Sequence, residues 1–165
     1  MRDLVIAGFD PGTARLGFGV IRGDDQPVPI DYGVIETPAH EPMPDRLKQL
    51  YEGVTAILRD YQPAVCAIEQ LFFSRNVTTA LSVGQARGIV MLAAAQAAVP
   101  VVEYTPAEVK QSVSGYGKAD KNQMQEMVRI ILGLHEAPWP DDAADALAVA
   151  LCHVHLARFR DAIGE

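Results

Sequence analysis

With 165 residues, 49% of them hydrophobic, the chain can bury one well-packed core and is too short for two large ones, so a single domain over 1–165 is expected. A formal charge of -7 argues against a simple polyanion binder, which rests on excess Lys and Arg. Cys66 and Cys152 each lie in an apolar stretch and read as buried thiols, excluding a disulfide framework. The opening MRDLVIAGFD carries Arg2, Asp3 and Asp10 and does not read as a secretory leader. No apolar run reads as a bilayer span, so a cytoplasmic protein without a membrane partner is expected.

LVIAGFD (4–10), LGFGVIRG (16–23) and VPIDYGVIET (28–37) are strand-length apolar runs separated by PGTA and GDDQP, a pattern that predicts an antiparallel meander. PDRLKQLYEGVTAILRDYQ (44–62) has Leu47, Leu50, Tyr51, Val54, Ile57, Leu58 and Tyr61 at helical spacing, behind Pro44 and Asp45. AVCAIE (64–69) is continuously apolar, as in a strand covered on both faces. A helix is predicted over 77–99, and its second half, IVMLAAAQAAV, is apolar nearly all round. Such a helix needs burial on every side, which in a small domain points to a homodimer. VPVVEY (99–104) predicts another strand, PAEVKQSV a helix, GYGKADKN a loop and QMQEMVRIIL a helix, with a last helix from Asp141. The order β-β-β-α-β-α-β-α-α-α, with two strands reached through helical crossovers, implies an α/β fold: a five-stranded mixed sheet flanked by helices.

The acids fall at distinctive places. Asp10 and Glu69 each terminate an apolar strand, and Asp141, Asp142 and Asp145 open the last helix in PDDAADALAVA. A strand-end acid can serve a turn, and acids in a first turn accept hydrogen bonds from free N–H groups and complement the helix dipole. Residues 142 and 145, however, project from one helical face, which continues through the apolar Val149 and Cys152. Carboxylates converging at a core rim call for a cation, and hard oxygen ligands suit Mg²⁺ or Mn²⁺. Residues 70–135 hold six basic groups against four acids, an excess that reads equally as a basic strip on an acidic body or as ordinary solvated surface; three of the four lysines lie at 110, 118 and 121. His153 is too far along the helix from Asp142 to share an ion, and all four histidines read as structural or surface residues.

Four blocks in order, GFDPGTARLGFGVI, AIEQLFFSRNVTTALSVGQARG, EYTPAEVKQSVSGYGKADKNQM and DDAADALAVA, resemble the RuvC Holliday junction resolvases of bacteria over almost the whole chain. The resemblance implies an RNase H-like fold, a homodimer, and a divalent-metal nuclease that nicks two opposing strands of a four-way DNA junction. It implies that Asp10, Glu69, Asp142 and Asp145 are the catalytic acids that bind the metal, two Mg²⁺ or Mn²⁺ ions per site, and leaves Asp141 to the helix cap. Lys110 and Lys121 match lysines near the junction backbone, with Lys118 as an added neighbour. Phe72 matches an aromatic that stacks on an unpaired base, Phe73 being the alternative ring. Arg75, Gln85 and Arg87 complete the expected DNA contacts, Gln85 and Arg87 lying with Gly84 and Gly88 near the start of the long helix. Work with the RuvA and RuvB branch-migration proteins is a further implication. Two other readings compete: a non-catalytic junction-binding dimer, and an actin-like ATPase fragment suggested by FDPGTARLGFG.

Overall fold

The computed structural model describes residues 4–23, 25–71 and 76–164. Among them the elements are β1 (Leu4–Asp10), β2 (Arg15–Gly23), β3 (Val28–Glu36), α1 (Met43–Tyr61), β4 (Val65–Glu69), α2 (Val77–Gln96), β5 (Val101–Tyr104), α3 (Pro106–Ser114), α4 (Lys121–Ile131) and α5 (Asp141–Ile163). This is the predicted order. The strands form one mixed sheet, β3-β2-β1-β4-β5. Short turns make β1·β2 and β2·β3 antiparallel, whereas the crossovers through α1 and α2 make β1·β4 and β4·β5 parallel.

Strand alternation divides the sheet between two cores. Ala7, Phe9, Cys66 and Ile68 pack toward α1 and α2. Ile6, Val65 and Ala67 face the opposite way, toward α3, α4 and α5. By the same parity Asp10, two residues past Gly8, and Glu69, two past Ala67, point to the α5 face. The helix α5 lies unusually close to the strands because both surfaces are stripped of bulk. Ala143, Ala146 and Ala150 are fully buried, and a Cβ at Gly8 would lie 2.1 Å from the Ala146 carbonyl oxygen.

Several boundaries shift by one to three residues from the sequence reading, and two of the shifts have a visible cause. The helix α4 starts at Lys121, inside the predicted loop, because Asp120 and Gln123 form a capping box: Gln123 N–H donates to Asp120 Oδ1 at 2.8 Å, and Asp120 N–H to Gln123 Oε1 at 2.9 Å. The helix α2 ends at Gln96, where Ala98 takes a left-handed conformation (φ 56°) and the chain turns into β5.

Among the described residues, only one stripe of α2 is covered. Ala86, Val90, Ala93 and Ala94 pack inward, while Val77, Leu81, Met91 and Leu92 are exposed. By length and composition alone α2 could cross a membrane, contrary to the expectation that no apolar run is long enough. Its inner stripe nevertheless packs into the same core as α1 and the sheet.

Candidate active site

Asp10 and Glu69 end neighbouring parallel strands, one residue beyond the Phe9–Ile68 pair. The segment after Asp10 is pinned: the buried Thr13 shares a hydroxyl hydrogen bond with Ser82 of α2, and its carbonyl accepts from Thr37 Oγ1 at 2.5 Å. Burial, reinforced by Asp145, Asp142 and Glu69 in that order, pushes the Asp10 carboxyl up to about 8. Asp10 is also in side-chain hydrogen-bond contact with Asp142. Glu69 and Asp145 are open to solvent on one side. Both are raised all the same, first by partial desolvation against the protein and then by neighbouring carboxylates: Asp145 for Glu69, Asp142 and Asp141 for Asp145. Lys110 and Lys121, respectively, oppose those shifts. The two strand ends and the first turns of α5 thus bring the four predicted acids together.

They do not form a finished cage. Among the described residues, no three His, Cys, Asp or Glu side chains stand ready around a single point. Cations of the chain pair with two of the acids at the start of α5: Arg15 Nη1 lies 3.8 Å from Asp142 Oδ2, and Lys121 Nζ lies 2.9 Å from Asp141 Oδ2. The donor set still fits a hard divalent cation, being all carboxylate oxygen, and mutual repulsion is the burden that such an ion relieves.

Asp141 departs from its predicted role. The N-cap of α5 is Pro140, and no side chain caps the helix. Asp141 turns across to α4 instead, accepting from Gln125 Nε2 at 2.9 Å and pairing with Lys121, whose hydrogen bond first and charge second hold its carboxyl below the usual range. This pairing in turn raises Lys121.

Lys110, Lys121, Glu69 and Asp145 line one cleft of about 280 Å³ with Asp120 and Met124. Lys118 is exposed next to it in sequence, and Gln85 is exposed on α2. Phe72, Phe73 and Arg75 lie outside the described residues. Arg87, expected among the DNA contacts, is turned inward, its side chain only 12% exposed. It donates to the Glu69 carbonyl oxygen at 2.5 Å and pairs with Glu103. His153 is structural as predicted: its Nδ1 shares a 2.7 Å hydrogen bond with the Tyr104 hydroxyl.

Sequence reasoning missed Arg15 and Gly17. The signal for Gly17 was present in LGFGVI, where glycines alternating with bulky residues mark a strand face approached closely by another backbone.

A mixed sheet of this order, with acids on its two central strand ends and on the helix packed across them, is the architecture of an RNase H-like nuclease. The family model described as "Crossover junction endodeoxyribonuclease RuvC" matches residues 6–153. A protein of that name from Chloroflexus aggregans is 58% identical over 151 residues, covering 91% of this chain and 92% of its own. Its namesake from Desulfitobacterium hafniense is 55% identical over 162 residues, 98% of each chain. Among solved structures, Thermus thermophilus RuvC in complex with a Holliday junction substrate superposes with a TM-score of 0.90 at 42% identity, covering 94% of this chain and 96% of that one. The chain belongs to the RuvC family. Nucleases of this family are metal-dependent.

Proposed function

We propose that this chain is a single-domain endonuclease that resolves four-way DNA junctions by symmetric nicking of two opposing strands in recombination and repair, with Asp10, Glu69, Asp142 and Asp145 as its metal-binding catalytic acids. The observation that carries the reading is the convergence of four carboxylates from β1, β4 and α5, where burial first and the three neighbouring acids second push Asp10 up to about 8. Two Mg²⁺ or Mn²⁺ ions, when bound there, supply an activated water and stabilise the leaving 3′ oxygen, giving 5′-phosphate and 3′-OH ends. The chain's own part is positional and electrostatic. Lys110 and Lys121 bring positive charge into the cleft that holds Glu69 and Asp145, where a scissile phosphate would enter. Lys118 and Gln85, both exposed, are assigned as further DNA contacts together with Phe72, Phe73 and Arg75, and stacking of Phe72 or Phe73 on an unpaired base would contribute about 1–3 kcal/mol.

Symmetric nicking needs two active sites, and we assign the homodimer interface to the apolar stripe of α2 that is exposed among the described residues. A cytoplasmic enzyme acting with RuvA and RuvB completes the proposal. The direct test incubates a labelled synthetic four-way junction with Mg²⁺ or Mn²⁺ and compares wild type with Asp10→Asn. Paired nicks at symmetric positions, lost in the variant, are expected. Binding without nicks would instead support a junction-binding dimer, and ATP hydrolysis an actin-like ATPase.

A further inference from the structure

We infer that Arg87, paired with Glu103, is a positioning residue for Glu69, fixing the end of β4 from the face of the sheet opposite the carboxylates. This rests on the reading of Glu69 as a metal ligand. Glu69 is the last residue of β4, and its ladder support is running out: Gln70 N–H still donates to the Tyr104 carbonyl at 2.7 Å, after which the chain leaves the sheet. At that point Arg87 reaches in from α2. One arm of its guanidinium donates to the Glu69 carbonyl oxygen, and the other pairs with Glu103, which lies opposite Ile68 in the β4·β5 register. Glu103 follows the alternation of Val101 onto the α2 face, so the clasp is built behind the sheet while the Glu69 side chain projects in front. A planar fork with two fixed partners sets direction as well as distance, which a flexible ammonium would not. Committed in this way and 12% exposed, Arg87 has little left to offer a phosphate.

A residue that orients a metal ligand without touching the metal typically changes metal affinity or turnover by about 10- to 100-fold. The test uses the full-length protein and a labelled four-way junction. Three quantities are measured for wild type, Arg87→Gln, Arg87→Lys, Glu103→Gln and the double Gln variant: kcat against Mg²⁺ concentration, junction Kd without divalent ions, and Mn²⁺ affinity of the DNA-free protein by calorimetry. In Arg87→Gln, kcat and Mn²⁺ affinity should fall by about 10- to 100-fold while junction Kd stays within about twofold of wild type. Glu103→Gln should show a smaller loss of the same kind. Arg87→Lys should recover part of it, and the double variant should be no worse than Arg87→Gln alone. A raised junction Kd with unchanged kcat and Mn²⁺ affinity would make Arg87 a DNA contact and overturn the inference. Should Arg87→Gln lose its circular dichroism signal, Glu103→Gln carries the test, and wild-type Mn²⁺ affinity in that variant overturns it. Glu69→Gln separates the two levels. Full nicking by that variant removes the reading of the site and the inference with it, whereas an inactive Glu69→Gln beside an unimpaired Arg87→Gln removes the inference alone.

Discussion

The Asp142 backbone fills the space that a side chain at Gly17 would need: an added Cβ would lie 2.0 Å from the Asp142 carbonyl oxygen. Gly17 stands opposite Asp10 in the β1·β2 register, so this one missing side chain lets the first turn of α5 settle over the strand that carries Asp10. Backbone cannot rotate away as a side chain can. Gly17→Ala should therefore push the start of α5 outward by about 1 Å, a displacement that can cost ~100-fold in rate. Overpacking should lower stability by about 1–3 kcal/mol. Junction-nicking rates beside denaturant unfolding of the same variant check this; near-wild-type nicking would show that the Gly17 contact does not set the site.

The acid cluster predicts an unusual pH dependence for the metal-free protein. Folding raises Asp10 from 3.8 to about 8, so the folded chain binds this proton more tightly than the unfolded one. Its stabilising contribution is complete below pH 4 and is lost as pH rises through 8. A shift of that size corresponds to a loss on the order of 5 kcal/mol. Asp10→Asn removes the titration, and comparison with it cancels the rest of the protein. In EDTA the variant should match wild type near pH 4 and be more stable by several kcal/mol at pH 9, measured by urea unfolding. At pH 8, Mg²⁺ should raise the wild-type Tm more than that of Asp10→Asn. A pH-independent difference between the two proteins would mean that Asp10 is not crowded by its neighbours.

Most of this arrangement was legible in the sequence because strand alternation is a strict period. Once Ile6 and Val65 face one core, Asp10 and Glu69 must face it too, and acids three apart at a helix start must share a side. What escaped depends on partners distant in sequence. Arg87 reads as a surface cation near two glycines until Glu103 and the Glu69 carbonyl are seen beside it. The role of Asp141 turned on where α4 begins, and that was set by the Asp120–Gln123 capping box inside a segment that reads as loop. The all-round apolar character of α2 was plain, but the described residues of one chain bury only its inner stripe.

The three aspartates of PDDAADALAVA should separate under mutation. Asp141 is tied to Lys121 and Gln125, away from Asp10, whereas Asp142 and Asp145 both act on the Asp10 carboxyl. Its ion pair with Lys121 is largely exposed, and such pairs contribute about 0–1 kcal/mol. Asp141→Ala should thus keep its fold and lose less than about tenfold in nicking rate, through a loosened Lys121, whereas Asp142→Asn and Asp145→Asn should each lose at least ~100-fold. Single-turnover nicking at saturating Mg²⁺ gives all three values. Equal losses would place Asp141 among the ligands.

The outer face of α2 gives the last prediction. Leu81 is 65% exposed and Leu92 49%, and together with Val77 and Met91 they present an apolar stripe along a helix whose opposite side is already packed. Gly88 lies on the same side with no atom of the described residues within 4 Å of an added Cβ, leaving room for a second helix to approach. Stripes of this kind on a folded domain mark an interface, and a second copy of the chain would cover both stripes at once. Leu92→Glu should convert the protein to monomer, because burying an unpaired carboxylate there costs several kcal/mol, while the circular dichroism spectrum stays native. Sedimentation velocity checks the mass. A wild type that sediments as a monomer at micromolar concentration, or a Leu92→Glu variant that remains dimeric, would assign this stripe to something other than self-association.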